Sequence, residues 1–420
     1  MVWERGGAML GSYRVLDLTD DQGLYCGQLL GYLGADVIKV EHPGGDKSRL
    51  IPPFLHGVLG VDNSLYWRSF NTNKRGITLN LDTAQGRNIF RELVRKADIV
   101  VESFPPGYMA QLGLDYNALN EVNGKVILTS ISPFGQTGPH SKWKGSDLVC
   151  WAMGGLLAQT GDPDRPPVRI SHINFAYQMA GADAAWGTAV ALYWRGISGR
   201  GQHVTVSIQQ SIAKTNFMAH EVFETTGKEQ KRASSFYRVE RSEVMLRSVW
   251  EAKDGYVAFL IFGGQWGATH DNPRLVEWIN EEGMADDYLR GIDWAKLSWR
   301  RTPLDEVAKI HGYVERFFKS KTKAELLEGA IKRRIAIQPV NTPSDILEHP
   351  QLQARDYWQE MALADAMLVK FPSRFCLPSY SLCRQWMPAP RVGEHNAEVY
   401  EELLGISPEK LNRLKEASII

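Results

Sequence analysis

The stretch PVRISHINFAYQMAG, residues 167–181, is placed like the lip of an active site: it follows a proline-rich turn and leads into a long apolar helix. It carries little nucleophilic chemistry. Between Arg169 and Asp183 there is no acid, no lysine and no cysteine. Tyr177 offers a phenol, whose ordinary pKa of about 10 makes it a poor nucleophile at neutral pH. His172 and Asp183 are the nearby groups that could move a proton as an acid/base pair. The loop after the first expected strand reads TDDQG, residues 19–23, with Asp20, Asp21 and Gln22. A dinucleotide fold would place G-x-G-x-x-G there, and Glu41 could then hold a ribose. The glycines are absent, and two carboxylates would repel a pyrophosphate, so nicotinamide and flavin binding are not expected. Gln22 reads as a cap for the following helix. Cys26, Cys150, Cys376 and Cys383 form no C-x-x-C pair and have no histidine cluster beside them. Free thiols in a reducing cytoplasm are expected, and no metal site.

The elements that must position these groups follow from hydrophobic periodicity. YRVLDLT (13–19), GLYCGQLLGYLGA (23–35) and DVIKVE (36–41) read as strand, helix and strand, a βαβ unit and hence a parallel sheet. Glycines 23, 27 and 31 give the helix a flat ridge for close approach to the sheet. Further strands are expected at 76–81, 98–104, 125–132 and 203–208, with helices at 84–97 and 176–196. The alternation predicts an open α/β sheet. KEQKRASS, residues 228–235, reads as a solvated linker rather than a phosphate site. RSVWEAKDGYVAFLIF (247–262) reads as a hairpin turning at Asp254–Gly255. RIAIQPV (334–340) returns to a buried strand, and Thr342, Pro343 and Asp345 start a helix. The fold class is therefore α/β: an open Rossmann-like parallel sheet in a discontinuous large domain, residues 1–224 and 334–420, with a smaller α+β domain at 225–333.

The chain has 420 residues, 48 basic and 48 acidic, so its zero net charge indicates neither nucleic acid nor an anionic membrane as partner. No apolar run reaches the ~18 residues of a membrane helix, and the start lacks a secretory h-region.

Seven stretches resemble the family III CoA-transferases and occur in that family's order. They are GADVIKVEHPGGD (34–46), NTNKRGITLNL (71–81), GLDYNALNEVN (113–123), ISPFGQTGP (131–139), GDPDRPPVR (161–169), GRGQHVTVS (199–207) and QPVNTPSDILEHPQLQARDY (338–357). The resemblance implies two interlocked chains, with acyl-CoA between the large domain of one and the small domain of the other. It implies an aspartate that attacks the thioester carbonyl, giving a mixed anhydride and then an aspartyl-CoA thioester. It implies no cofactor beyond coenzyme A as part of the substrate. Gln22 matches a glutamine beside the reacting carbonyl, and FGGQWG, with Gly263 and Gly264, resembles a mobile glycine loop. Asn73, Lys74, Arg75 and Lys144 match positions that hold CoA. For the three basic residues, surface charge or internal ion pairs is the other reading.

The aspartate of the family lies four residues before the glycine matching Gly181, and that position is Tyr177. Asp183 lies six residues further along, on a different helical face. Asp20 stands where the family has a histidine or aliphatic residue, and would repel a CoA phosphate; His42 replaces a basic residue. The resemblance therefore implies a chain that keeps the scaffold without the nucleophile, and whose partner is a related catalytic subunit carrying the aspartate. The implied reaction moves CoA from an acyl-CoA such as succinyl-CoA to a carboxylic acid such as (R)-2-benzylsuccinate. The rival readings are a homodimeric acyl-CoA racemase or isomerase, and a protein that binds acyl-CoA without turnover.

Overall fold

Short β-rich runs, most of them buried along their whole length, build the sheet of the larger unit. The computed structural model describes residues 8–170, 173–239, 242–363, 367–373, 375–377, 379 and 386–420. The chain divides into two units. The first comprises residues up to Leu157, Arg169–Thr225 and Pro350–Ile420; the second comprises Ala158–Val168 and Thr226–His349.

In the first unit, strands β1 (Arg14–Asp17), β2 (Asp36–Glu41), β3 (Lys74–Thr78), β4 (Ile99–Glu102), β5 (Ile127–Ser132) and β6 (Gln202–Ser207) form one sheet in the order β3-β2-β1-β4-β5-β6. Every pairing is parallel. This is the doubly wound arrangement, whose order reverses between β1 and β4. Ligands characteristically bind outside the carboxyl ends of strands at such a reversal. Successive residues point to opposite faces, so the sheet is covered twice. On one face Leu16, Ile38, Ile77 and Val100 meet Ile89, Phe90 and Leu93, together with Val399 and Tyr400 of the C-terminal helix Asn396–Leu404. On the other face Val15, Val37, Ile99 and Ile127 meet helix α1 (Leu24–Tyr32) through Cys26, Leu29 and Leu30.

Helix α2 (Ala84–Val94) carries the first of those contacts, and Thr83 caps it. Helix α3 (Asp147–Met153) leads to the 24-residue helix α4 (Phe175–Ser198), which packs Ala176, Ala180 and Ala184 into the second layer. Close approach depends on glycine at two points. A Cβ on Gly27 would lie 2.2 Å from Asp17 Oδ2, and one on Gly181 would lie 2.9 Å from Tyr25 Cβ.

β3 starts at Lys74, two residues before the expected strand, because Lys74 and Arg75 make buried ion pairs inside the sheet layer. Lys74 Nζ donates to Asp17 Oδ2 at 2.8 Å, to the Leu24 carbonyl at 2.9 Å and to Asn71 Oδ1 at 2.9 Å. Asp17 also accepts from Thr19 through its amide at 3.0 Å and its hydroxyl at 2.6 Å. Burial alone would raise the Asp17 carboxyl, but the charges of Lys74 and Lys39 and these hydrogen bonds outweigh it and hold it below the usual carboxylate range.

The second unit has its own core, in which Trp250, Trp278, Ile310, Phe317 and Phe318 are buried together. Its hairpin pairs β7 (Val249–Ala252) with β8 (Gly255–Ala258) across the expected turn. The domain boundary expected at 333 is corrected: β9 (Gln338–Pro339) pairs with β8, so this segment extends the small unit's sheet rather than the large one, and the unit runs on to His349. Thr342 and Asp345 form the expected capping box. Arg232, in the segment expected to be a linker, donates to the carbonyls of Ala158, Asp162 and Arg165 and so ties 158–168 into this unit.

Replacing Lys74 by alanine leaves the Asp17 carboxylate buried without its closest cation, a change that typically costs about 3–5 kcal/mol. The expected outcome for Lys74→Ala is an unfolding free energy, from urea titration at pH 7, lowered by that amount. Because Asp17 is depressed, its stabilisation is present above the unfolded carboxyl pKa of about 3.9 and fades as pH falls through the lower folded value. The variant and the parent should therefore converge in strong acid, which denaturation curves at several pH values check.

Candidate functional site

A cleft of about 740 Å³ opens at the carboxyl ends of the strands, where the sheet order reverses. The loop after β1 supplies Asp20 and Gln22, the loop after β4 supplies Ser103, Phe104 and Pro105, and the segment after β5 supplies Lys142, Trp143 and Lys144. All of these belong to the first unit.

The β1 loop is held rigidly. Ser103 Oγ donates to Asp20 Oδ1 at 2.8 Å and accepts the Asp20 amide at 2.8 Å, while Lys47 Nζ sits 2.6 Å from Asp20 Oδ2. Asp20 was expected to repel a phosphate; the structure corrects this, because Lys47 pairs with its charge. Gln22 does not cap α1, since Gly23 occupies the cap position and no side chain caps there. Gln22 Nε2 instead lies 3.4 Å from Asp20 Oδ2, and its Oε1 is buried without a hydrogen-bond partner. A buried carbonyl oxygen left free at a cleft wall is an acceptor that a ligand N–H or O–H can satisfy. Lys144 also lines the cleft, exposed beside Lys142.

The other expected CoA contacts are placed elsewhere, and these are corrections. Asn73 exchanges two hydrogen bonds with Met387, at 2.9 and 2.7 Å, and adopts a left-handed φ of 60°. Lys74 is engaged by Asp17, and Arg75 is engaged by Asp36, Glu398 and Glu402. The motif NTNKRG therefore ties the edge of the sheet to the C-terminal segment, and its cations have no free donor face for a phosphate. Glu41 is likewise engaged by Arg49 at 2.6 and 2.8 Å. Gly263 and Gly264 open the helix Gly264–Thr269 in the second unit, with Gly264 at a left-handed φ of 67°.

Tyr177 is the third residue of α4 and is only 7% exposed. Burial, and then the charges of Asp21, Cys150, Asp147 and Asp20, push its phenol well above the ordinary value. At neutral pH the phenol therefore stays protonated. Asp183 does not replace it: its carboxylate pairs with Lys214. His172 lies outside the described residues.

Two carboxylates stand beside this helix start: Asp147, which sequence reasoning did not single out, and Asp21, which it weighed only as a charge against a pyrophosphate. Asp147 Oδ1 accepts the Ala176 amide at 2.8 Å, so α3 caps α4 in place of Asn174, whose side chain makes no cap. Its Oδ2 has no hydrogen bond, and Arg169 approaches to 3.9 Å. Burial raises this carboxyl, partly offset by the α4 amides and Arg169. The only sequence signal was an acid directly after Ser146, which reads as an ordinary helix start. Asp21 is pushed up to about 6 by burial and by the neighbouring Asp20, with Lys47 opposing. Tyr66 joins the two regions: its hydroxyl accepts from Asn174 Nδ2 at 3.4 Å and lies 3.5 Å from the Asp21 carbonyl. Among the described residues, no group of three His, Cys, Asp or Glu side chains could hold a metal ion, and no helix is long and apolar enough to cross a membrane.

The sequence profile of CoA-transferase family III matches residues 10–396. The chain belongs to CoA-transferase family III. It is 34% identical over 405 residues to the succinyl-CoA:(R)-benzylsuccinate CoA-transferase subunit BbsE of Thauera aromatica, covering 94% of each chain. It is 31% identical to a formyl-CoA:oxalate CoA-transferase of Streptomyces avermitilis, covering 98% of this chain and 99% of that one. A CAIB/BAIF family protein from Brucella suis has the same fold, with a TM-score of 0.77 at 27% identity over 95% of this chain and all of that one.

The raised Asp21 carboxyl makes a pH prediction. A folded pKa above the unfolded value means that ionisation favours the unfolded chain. The favourable contribution is complete below about 3.9 and is lost as pH rises through about 6. Asp21→Asn should therefore raise the melting temperature relative to the parent at pH 8 and leave it nearly unchanged at pH 4; thermal melts at the two values check this.

Proposed function

We propose that this chain is the non-catalytic subunit of a heteromeric family III CoA-transferase, acting beside a related subunit that carries the nucleophilic aspartate. The observation that carries the reading is Tyr177, a buried neutral phenol at the position where the family has that carboxylate. Thioester exchange through the protein needs a group that forms an anhydride and lets it reopen. A phenol forms an ester that lacks that reactivity, and Asp183 is held by Lys214.

In the proposed complex the partner's aspartate attacks the thioester carbonyl and expels the CoA thiolate. The thiolate then attacks the aspartyl carbonyl of the anhydride, releasing the donor acid and leaving an aspartyl-CoA thioester. The acceptor carboxylate attacks that thioester, and the thiolate expelled returns to the acceptor's carbonyl, freeing the aspartate. This chain forms no covalent bond. Its part is to complete the partner's site with its small unit, including Gly263 and Gly264, and to stabilise the assembly. We place the reaction in the cytoplasm, with succinyl-CoA as donor and (R)-2-benzylsuccinate as acceptor. The substrates are those in the name of the Thauera relative, which is itself called a subunit. Coenzyme A enters only as part of the substrate.

A partner chain is also supported by the surface of α4. Trp186, Val190, Tyr193, Trp194 and Ile197 are exposed, the first and third of the five by 76% and 74%. Their spacing puts them on one side of the helix. A continuous apolar stripe of this kind on a soluble unit marks an interaction surface. No observation favours the racemase reading, since its acid Asp183 is ion-paired.

The test is to purify the chain alone and together with a co-encoded homologue that has aspartate at the position of Tyr177. Transferase activity should require both. With succinyl-CoA and hydroxylamine present, peptide mass spectrometry should find the modified carboxylate on the homologue only. Modification of any carboxylate in this chain, or full activity from the pure chain, would refute the reading. A complex that binds acyl-CoA with no turnover would favour the binding-protein reading instead.

A further inference from the structure

The sheet carries a buried acid that lies outside the cleft lining and has no part in the proposed reaction. Glu102 closes β4 and is only 3% exposed. Its Oε2 accepts the Phe104 amide at 2.7 Å, so it holds the loop whose Ser103 locks Asp20. Ser130 stands opposite Glu102 in the β4–β5 register, is also buried, and hydrogen-bonds its carboxyl. The Ser130 hydroxyl has a second partner, for it lies 2.9 Å from His203 Nε2. His203 belongs to the edge strand β6, pairs with Leu128 and therefore projects from the same face as Ser130. It is exposed, and its ring is stacked on Tyr116 with centroids 5.8 Å apart and planes inclined by 14°. A chain of hydrogen bonds thus crosses β4, β5 and β6, from a surface imidazole to an acid beside the cleft loop.

A hydroxyl has a single proton to donate. Ser130 can give it to the carboxylate or to the imidazole, not to both. When Glu102 is a neutral acid, it donates to Ser130, and Ser130 donates to His203 Nε2; the imidazole then carries its proton on Nδ1. When Glu102 is ionised, it takes the Ser130 proton, and His203 must donate from Nε2 instead. Burial pushes the Glu102 carboxyl up to about 7, with the Ser130 and Phe104 hydrogen bonds opposing and the Asp20 charge adding to the rise. Desolvation lowers the His203 imidazole, and Asp115, which caps the helix Tyr116–Val122, opposes. Against the same face pack apolar side chains, among them Phe90 and Leu93 of α2 and Leu119. Near neutral pH the first arrangement is therefore in force, and the second replaces it as pH rises through about 7.

We propose that Glu102, Ser130 and His203 form a proton wire and pH switch, in which the charge of the buried carboxyl sets the tautomer of the surface imidazole through the one proton of the Ser130 hydroxyl. On ionisation the Glu102 proton passes to Ser130, the Ser130 proton passes to His203 Nε2, and the Nδ1 proton leaves for water. One proton is lost in all, and the buried acid never meets solvent. The state of the carboxyl reaches the cleft loop through the Phe104 amide, a bond that charge strengthens. None of this depends on which subunit carries the nucleophile.

The test follows the purified full chain, carrying isotope-labelled histidine and glutamate, by NMR as pH is raised through neutrality. The His203 signals are those missing from His203→Phe, and the Glu102 signal is the one missing from Glu102→Gln. His203 should hold its proton on Nδ1 below the Glu102 midpoint and on Nε2 above it, with one midpoint describing both changes. His203→Phe keeps a ring against Tyr116 but removes the acceptor, so the Ser130 proton is free for the carboxylate. A hydrogen bond to the charged form stabilises that form, and the Glu102 midpoint should fall by about one pH unit. A ring that only packs on Tyr116 would leave the midpoint where it is. An unchanged melting temperature shows that His203→Phe is folded, as expected for a change at an exposed position. The proposal is overturned if the His203 tautomer stays the same across the Glu102 midpoint, or if His203→Phe leaves that midpoint unmoved or raises it.

Discussion

The buried pair of Asp17 and Lys74 is the constraint on which the cleft depends. Asp17 ends the central strand β1, and Lys74 begins the edge strand β3. Their 2.8 Å contact crosses β2 on the side facing α1 and also takes in the Leu24 carbonyl and Asn71. The same carboxylate holds Thr19, the first residue of the loop that carries Asp20, Asp21 and Gln22. Gly27 admits the carboxylate beneath the helix, where any side chain would collide with it. Placing two charges in a dry interior is costly unless hydrogen bonds satisfy them. Here nearly every oxygen and proton has a partner, and the loop is fixed as a consequence.

From that fixed loop the cleft is assembled by neighbours across the sheet reversal. Ser103, one residue beyond β4, locks Asp20, and Lys47, beyond β2, neutralises it. On the far side Asp147 ties the start of α4 to α3 by accepting the Ala176 amide. Tyr177 follows directly, in a layer of alanines and a glycine that lets α4 lie against α1. Burial and the neighbouring acids keep the phenol in this packed place protonated.

Lys74 and Lys144 show why the residues of one motif family part company. Both are lysines at positions that resemble CoA contacts, yet one is fully buried in ion pairs and the other stands exposed in the cleft wall. A sequence records a positive charge but not the dielectric around it or the distance to an acid nearly 60 positions away. The same holds for Asp20, whose charge is paired with Lys47 at 2.6 Å. Trp143 is a further case: an aromatic in a polar loop reads as nothing in particular until His140 and Phe134 are found against it.

What the sequence by itself determined was everything local or periodic. Short β-rich runs alternating with helical patterns announced the parallel sheet, the glycine spacing of α1 announced its close packing, and Thr342 and Asp345 marked a helix start. These properties depend on neighbours within a few positions, where covalent geometry fixes what can touch. Only the tertiary structure decided which charges were internal, that β9 joins the small unit's sheet, that Asp147 rather than Asn174 caps α4, and that Asp21 is an acid with a raised pKa. Those outcomes depend on burial and on contacts between residues far apart in the chain, and both are created by folding.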